Sequence, residues 1–367
     1  MKIRIAIIIA LSSIAPTALA ASNRISNGQI IQTSPEVQLT RQNGRTIRPT
    51  AGTPIYPGDK LQTAQNGQIT IQCADLAIKS IAPGENQLNS CLLANNNSKG
   101  CSDDLIKCPD RGDGRITWNS APIPYIISPR RTKLLDSKPI LRWSPVAGAT
   151  SYKLSLRENG AKLNWEMTVS GTEVLYPGEP PLKPGASYKL IVETNTGISS
   201  ESAVGEGDIE FSLLDEQEVA KVKEEVGAIE RQVANSEAKK LAISQVYFNA
   251  NLLAEAVEIL EQLVQIGVAT PPIYRKLGNL YLNKLQLIPQ AEFYYQKAMN
   301  AAKNNDIEEL TDARYGLGLV NSVMGKNREA IEFLKSAKDG FRALGDLPMV
   351  EKVEKQLRDL QRREERK

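Results

Sequence analysis

The sequence contains no histidine in 367 residues. That excludes His-based triads, imidazole general bases and every His-containing metal site. Aromatic residues make up only 5% of the chain, which speaks against a sugar-binding surface built of exposed rings. The charge is close to balanced: 45 basic residues against 42 acidic ones give +3, or +1 without Lys2 and Arg4. Neither value is the electrostatic footprint of a nucleic-acid or anionic-membrane binder. No Walker loop, G-x-S-x-G elbow or dinucleotide fingerprint occurs. Ser236 and Lys239 match S-x-x-K, but no K-T-G or S-D-N partner follows and the match lies in helical sequence. After residue 20 no apolar run is long enough to cross ~30 Å of hydrocarbon. The expectation is therefore no enzyme, no cofactor, no metal, no nucleic-acid partner and no integral membrane span in the mature chain.

Residues 1–20 read as a secretory signal peptide. Lys2 and Arg4 make a basic start, Ile5 to Leu11 a short apolar run, and Ala18-Leu19-Ala20 a small-residue cleavage site. Export to a periplasm or to the outside is expected. Cysteine is confined to Cys73, Cys91, Cys101 and Cys108. In an exported protein an even cluster reads as disulfides. Three pairings are possible; Cys73 with Cys91 and Cys101 with Cys108 is favoured, because the second pair closes a short polar loop. A zinc site is disfavoured by the lack of close C-x2-C pairs.

Residues 21–35 are small and polar and read as a loose leader. From residue 36 to 115 the pattern is that of short strands: VQLT (37–40), RTIRP (45–49) and QITIQC (68–73) alternate apolar with polar, with Asn43-Gly44 and Asn66-Gly67 as turns. The stretch from Gly52 to Cys73 carries Tyr56-Pro57-Gly58-Asp59 ahead of Leu61 and Thr63, and Gly67 ahead of Ile69 and Ile71. It resembles the small β domain of FecR-type proteins, which implies a β-rich module outside the cytoplasm. Asn95 to Gly114 reads as a loop. Its Arg111-Gly112-Asp113 is taken as a chance turn, and Asp103, Asp104, Asp110 and Asp113 lack calcium-loop spacing. Residues 121–213 form a second β module. By period two, Tyr152, Leu154 and Leu156 share one face of a strand after Trp143, and Tyr188, Leu190 and Val192 one face of a later strand. Trp143, Ala149 to Tyr152, and Leu182-Pro184-Gly185-Tyr188 resemble the fibronectin type III pattern, which implies a β-sandwich.

After Leu214 the period becomes helical. Val219, Val222, Val226, Ile229 and Val233 make one seam over 214–236, read as a connecting helix that packs on the helices after it rather than as a coiled coil. Residues 237–345 then repeat. Ala256, Ala291 and Ala330 are each followed four residues on by Leu260, Tyr295 and Leu334, and Leu277-Gly278 recurs as Leu317-Gly318. One residue is inserted before Ala291. The block resembles the tetratricopeptide repeat family, so stacked helical hairpins are expected. Residues 346–367 read as a capping helix with a charged tail. The resemblance implies a groove lined by Gln245, Asn249, Arg275, Asn279, Asn283, Tyr315, Leu319 and Ser322, offered to a protein or peptide partner. The expected whole is two all-β modules followed by an all-α array, acting as an exported, non-enzymatic scaffold. The alternative is a cell-wall or glycan binder working through the β modules.

Overall fold

The computed structural model describes residues 26–91, 123–158, 164–202, 209–302 and 306–365. The signal-peptide reading of 1–20, the 95–114 loop, Cys101 and Cys108 lie outside these residues. Within them the chain forms β-sheets first and eight α-helices after.

The first β unit is two antiparallel four-stranded sheets. One orders β4 (Pro54–Ile55), β1 (Gly28–Thr33), β6 (Ile69–Cys73) and β7 (Ile78–Ile81). The other orders β3 (Thr46–Ile47), β2 (Val37–Thr40), β5 (Lys60–Thr63) and β8 (Asn86–Leu88). Period-two alternation sends Ile30, Val37, Leu39, Leu61, Ile69 and Ile71 into one core between them. Cys73 is disulfide-bonded to Cys91. β1 corrects, over Gly28–Thr33, the reading of 21–35 as a loose leader: it is the inner strand between β4 and β6. Gly28 makes this possible, since a Cβ there would lie 2.6 Å from the Gln72 carbonyl oxygen.

The second β unit packs a five-stranded sheet on a three-stranded one. The larger orders β10 (Thr132–Leu134), β16 (Phe211–Leu213), β15 (Ser187–Thr194), β12 (Tyr152–Glu158) and β13 (Asn164–Val169). The smaller orders β14 (Glu173–Leu175), β11 (Ile140–Trp143) and β9 (Ile126–Ser128). Trp143 meets Tyr152 edge-on at 5.5 Å in a core with Leu154, Leu156, Tyr188, Leu190, Val192 and Phe211.

The helices begin with α1 (Glu216–Gln232), started by a capping box between Asp215 and Glu218. Its seam packs on the helical core: Val222, Ile229 and Val233 are buried and Val219 and Val226 lie against them. Hairpins follow: α2 (Ser236–Asn249) with α3 (Leu253–Gln265), α4 (Pro271–Asn279) with α5 (Ile288–Ala301), and α6 (Ile307–Val323) with α7 (Asn327–Ala343); α8 (Leu347–Glu364) closes the row. Glycine sets the spacing. A Cβ on Gly278 would lie 2.8 Å, and one on Gly316 2.3 Å, from the Tyr295 ring, so that ring fills the gap between α4 and α6. The residue inserted before Ala291 is absorbed as a π-helical stretch, Leu280–Leu285, ended by Gln286 at a φ of 53°.

Candidate functional site

The two helical repeats differ in one respect that decides what they hold. Gly278 stands seven residues after the start of α4, while Gly318 stands eleven after the start of α6. The four extra residues are one added helical turn. That turn carries Glu308 and Glu309, both 5% exposed. Its N-cap is Asp306, whose side chain accepts from the Glu309 amide.

Both carboxylates hold guanidinium groups. Arg41, at the end of β2, donates to Glu308 from Nη2 at 2.6 Å and from Nε at 3.1 Å. Its Nη1 donates to Asp59 at 2.5 Å and to the Pro54 carbonyl at 3.0 Å, and its guanidinium lies 4.8 Å from the Tyr56 ring centre. Arg275 on α4 donates from Nε to Glu309 at 2.9 Å, with Asp312 at 3.8 Å. Burial raises the pKa of Asp59 and of Glu309, and the facing arginines only partly offset it. Attraction from Glu308 and Asp59 holds Arg41, and from Glu309 and Asp312 Arg275, firmly charged.

Further contacts fasten the first β unit along the helices. Ile31 leaves its own sheet and enters the helical core. Gln29 donates to the Gln72 side chain at 2.9 Å, and Gln72 donates to the Ala242 carbonyl on α2 at 3.1 Å. Thr270 donates to the Ala51 carbonyl at 2.7 Å and Asn43 to the Leu344 carbonyl at 3.3 Å. Gly52, at a φ of +88°, lets the chain pass Pro272 and Ile273, where a Cβ would lie 3.2 Å from each. β6 is therefore buried at all five positions. Its alternation, read as a half-buried strand, has its polar side on α2 rather than in water.

The second β unit is fastened by the loop before β10 and by β10 itself. α3 has no side-chain N-cap of its own. Thr132 supplies one across the joint, its hydroxyl accepting from the Leu253 amide at 2.8 Å. Glu255 accepts from the Leu135 amide at 3.0 Å, Lys133 pairs with Glu218, and Arg130 donates to the Leu285 carbonyl at 2.6 Å at the end of the π-helical stretch.

The eight residues read as groove-lining divide into two sets. Arg275, Asn279 and Tyr315 are buried at 1%, 0% and 0% exposure. Asn279 accepts from the Tyr295 hydroxyl at 2.6 Å, and Tyr315, whose pKa burial pushes up to about 12, accepts from Gln356 at 3.2 Å. Gln245, Asn283, Leu319 and Ser322 are half-buried and Asn249 is exposed. The Nδ2 atoms of Asn279 and Asn283, one turn apart, have no partner among the described residues. Sequence reasoning missed Arg41, Asp59, Glu308 and Glu309. The signal was present: the longer spacing of the second Leu-Gly pair, with two acids in the added turn. No helix among the described residues is long and apolar enough to cross a membrane, and no His, Cys, Asp and Glu cluster there could hold a metal ion.

No known family model matches the chain, and no curated protein matches it. Solved structures resemble part of it. MamA is 19% identical over 40% of this chain and 93% of its own, at a TM-score of 0.28. YrrB, described as a TPR protein with an unusual peptide-binding site, is 16% identical over 40% of this chain and 80% of its own, also at 0.28. These neighbours are tetratricopeptide repeat proteins. At such values the likeness carries no argument about function.

Proposed function

We propose that the chain is an exported, non-enzymatic scaffold that binds a protein or peptide along the accessible part of α2, the π-helical stretch and α6. The observation that carries this is the division of the groove residues. The buried set serves the protein's own packing, while Gln245, Asn249, Asn283, Leu319 and Ser322 remain accessible near the C-terminal ends of successive first helices. Amides, a hydroxyl and one leucine suit the main chain of an extended peptide rather than a charged terminus. In this reading the β units are a FecR-like and a fibronectin III-like module. Support for the second comes from its three-on-five strand arrangement and from Tyr188, whose hydroxyl accepts from the Lys183 amide at 2.7 Å just before its strand. The modules hold the array rather than space it from a surface. Among the described residues glycan binding finds little to use there, since Tyr56, Trp143, Tyr152, Trp165, Tyr176, Tyr188 and Phe211 are buried and Tyr125 is half-buried.

The test is selection of a displayed random-peptide library on the whole chain. Enriched peptides are expected to bind Asn283→Arg and Ser322→Arg at least tenfold more weakly. They are expected to bind Gln296→Arg, exposed on α5, unchanged. Equal loss in all three variants, or no enrichment, refutes the reading.

A further inference from the structure

The single disulfide among the described residues lies at one end of a continuous chain of contacts. The far end is the ion pair that fastens the first β unit to α6. Asn27 donates from Nδ2 to the Cys91 carbonyl at 2.7 Å, and the Cys91 amide donates to Asn89 Oδ1 at 3.0 Å. Asn89 Nδ2 donates to Asn27 Oδ1 at 2.6 Å and to the Tyr56 carbonyl at 2.8 Å, while the Asn89 amide donates to the Asp59 carbonyl at 2.7 Å. Those bonds fix the turn from Tyr56 to Asp59, in which the Tyr56 amide donates to Asp59 Oδ2 at 2.8 Å. The same Oδ2 receives Arg41, which reaches on to Glu308. The other sulfur ends a second route: Cys73 follows Gln72, the residue bonded to the Ala242 carbonyl on α2. Both half-cystines thus abut a residue or turn that grips the helices; Asn27, Tyr56, Asp59, Arg41 and Gln72 on these routes are buried and Asn89 is half-buried.

We propose that the Cys73–Cys91 disulfide is a redox latch: intact, it holds the first β unit over the head of the helical array, and its reduction by a dithiol frees that unit. The step balances as an exchange. A thiolate of the dithiol attacks one sulfur and forms a mixed disulfide. The reductant's second thiol displaces the protein sulfur and leaves as a cyclic disulfide. Cys73 and Cys91 take up two electrons and two protons. Loss of the crosslink removes the constraint on an 18-residue separation and releases Cys91, and with it the position of Asn89. The turn at Asp59 then no longer presents Oδ2 to Arg41, and Glu308 opens to water.

Native-state hydrogen exchange on the full chain tests this. Treatment with a dithiol is expected to speed exchange of amides 310–316 in α6 by roughly a hundredfold, the loop-closure effect of such a crosslink. Amides 353–360 in α8, away from the joint, serve as the reference. Cys73→Ser with Cys91→Ser is expected to reproduce the effect without reductant. Asn89→Ala, which keeps the disulfide and cuts the route, is expected to move 310–316 the same way by about tenfold. Equal acceleration of 310–316 and 353–360 on reduction overturns the proposal, because it reports general unfolding. So does an oxidised Asn89→Ala protein that exchanges like the wild type.

Discussion

Replacing Arg41 by alanine removes the one cation that two buried carboxylates share. The arginine side chain is 5% exposed, Asp59 1% and Glu308 7%. The variant keeps both acids out of water while deleting five donor contacts, the Tyr56 stacking and the compensating charge. Breaking a buried pair from one side costs about 3–5 kcal/mol, mostly because the stranded charge stays buried. Glu308→Gln removes the charge and is expected to cost less, about 1–3 kcal/mol. Arg41→Met with Glu308→Leu should recover only the part of the loss that Glu308 causes, since Asp59 stays buried without its cation. The assay is hydrogen exchange of amides 310–316 against denaturant, which reads the local opening free energy at this joint. A loss below about 1 kcal/mol for Arg41→Ala, the range of exposed pairs, would refute the reasoning. So would strict additivity of the two single substitutions, because groups in direct contact must couple.

Thr132→Val keeps the shape of the side chain but removes the acceptor at the start of α3; a loss of about 1 kcal/mol is expected in denaturant unfolding, with faster exchange at Leu253 and Ala254. Gly316→Ala places a methyl 2.3 Å from the Tyr295 ring, a fully buried side chain that also bonds Asn279, so an overpacking cost of about 1–3 kcal/mol and a lower melting temperature are expected. The pH dependence has a definite sign. Burial raises the pKa of Asp59, Asp306 and Glu309 above the ordinary 3.8 and 4.5. The folded state thus binds more protons than the unfolded one, and the stability these groups contribute is full below the ordinary values and lost as pH rises through the raised ones. The melting temperature at pH 5 should exceed that at pH 7.5; a fall would show that the arginines, not burial, dominate.

How far the sequence reveals this arrangement depends on whether a signal is local. Trp143, the Tyr152 to Leu156 stripe and the Tyr188 to Val192 stripe announce their strands because burial on one face leaves a period of two. Leu277-Gly278, Leu317-Gly318 and the phased alanines announce the hairpins, because close helix packing admits only small residues there. β1 stayed hidden: GQIIQT reads as small and polar, yet Gln29 is 1% exposed because its amide bonds Gln72. The short strands β4, β9, β10, β14 and β16 carry too few residues to show a period. Arg41 and Glu308 are 267 positions apart, and nothing local marks either as the other's partner. The spacing of Arg275 and Asn279 puts both on one helix face, but it cannot say that the face meets the chain's own acids and tyrosine.

The helix ends explain why the array and the β units belong together. A free-standing hairpin repeat caps its own helices with side chains just ahead of each first turn. Here α3 lacks such a cap and takes Thr132 from another unit. Thr270 stands at the N-cap of α4 but makes no side-chain cap there, and its hydroxyl goes to Ala51 instead. α6 is capped by Asp306 and yet extends by a turn whose Glu308 needs Arg41. Three helix starts, those of α3, α4 and α6, are thus completed by, or committed to, residues of the β units. An array of three hairpins is near the lower limit for stacking stability, and these joints supply support that more repeats would otherwise provide. The consequence for the proposed recognition is geometric: the starts of α4 and α6 are engaged with the first β unit and the carbonyls of Asn251 and Leu285 with the second, which confines the proposed partner surface to side chains that these joints leave accessible, among them Asn249, Asn283 and Ser322.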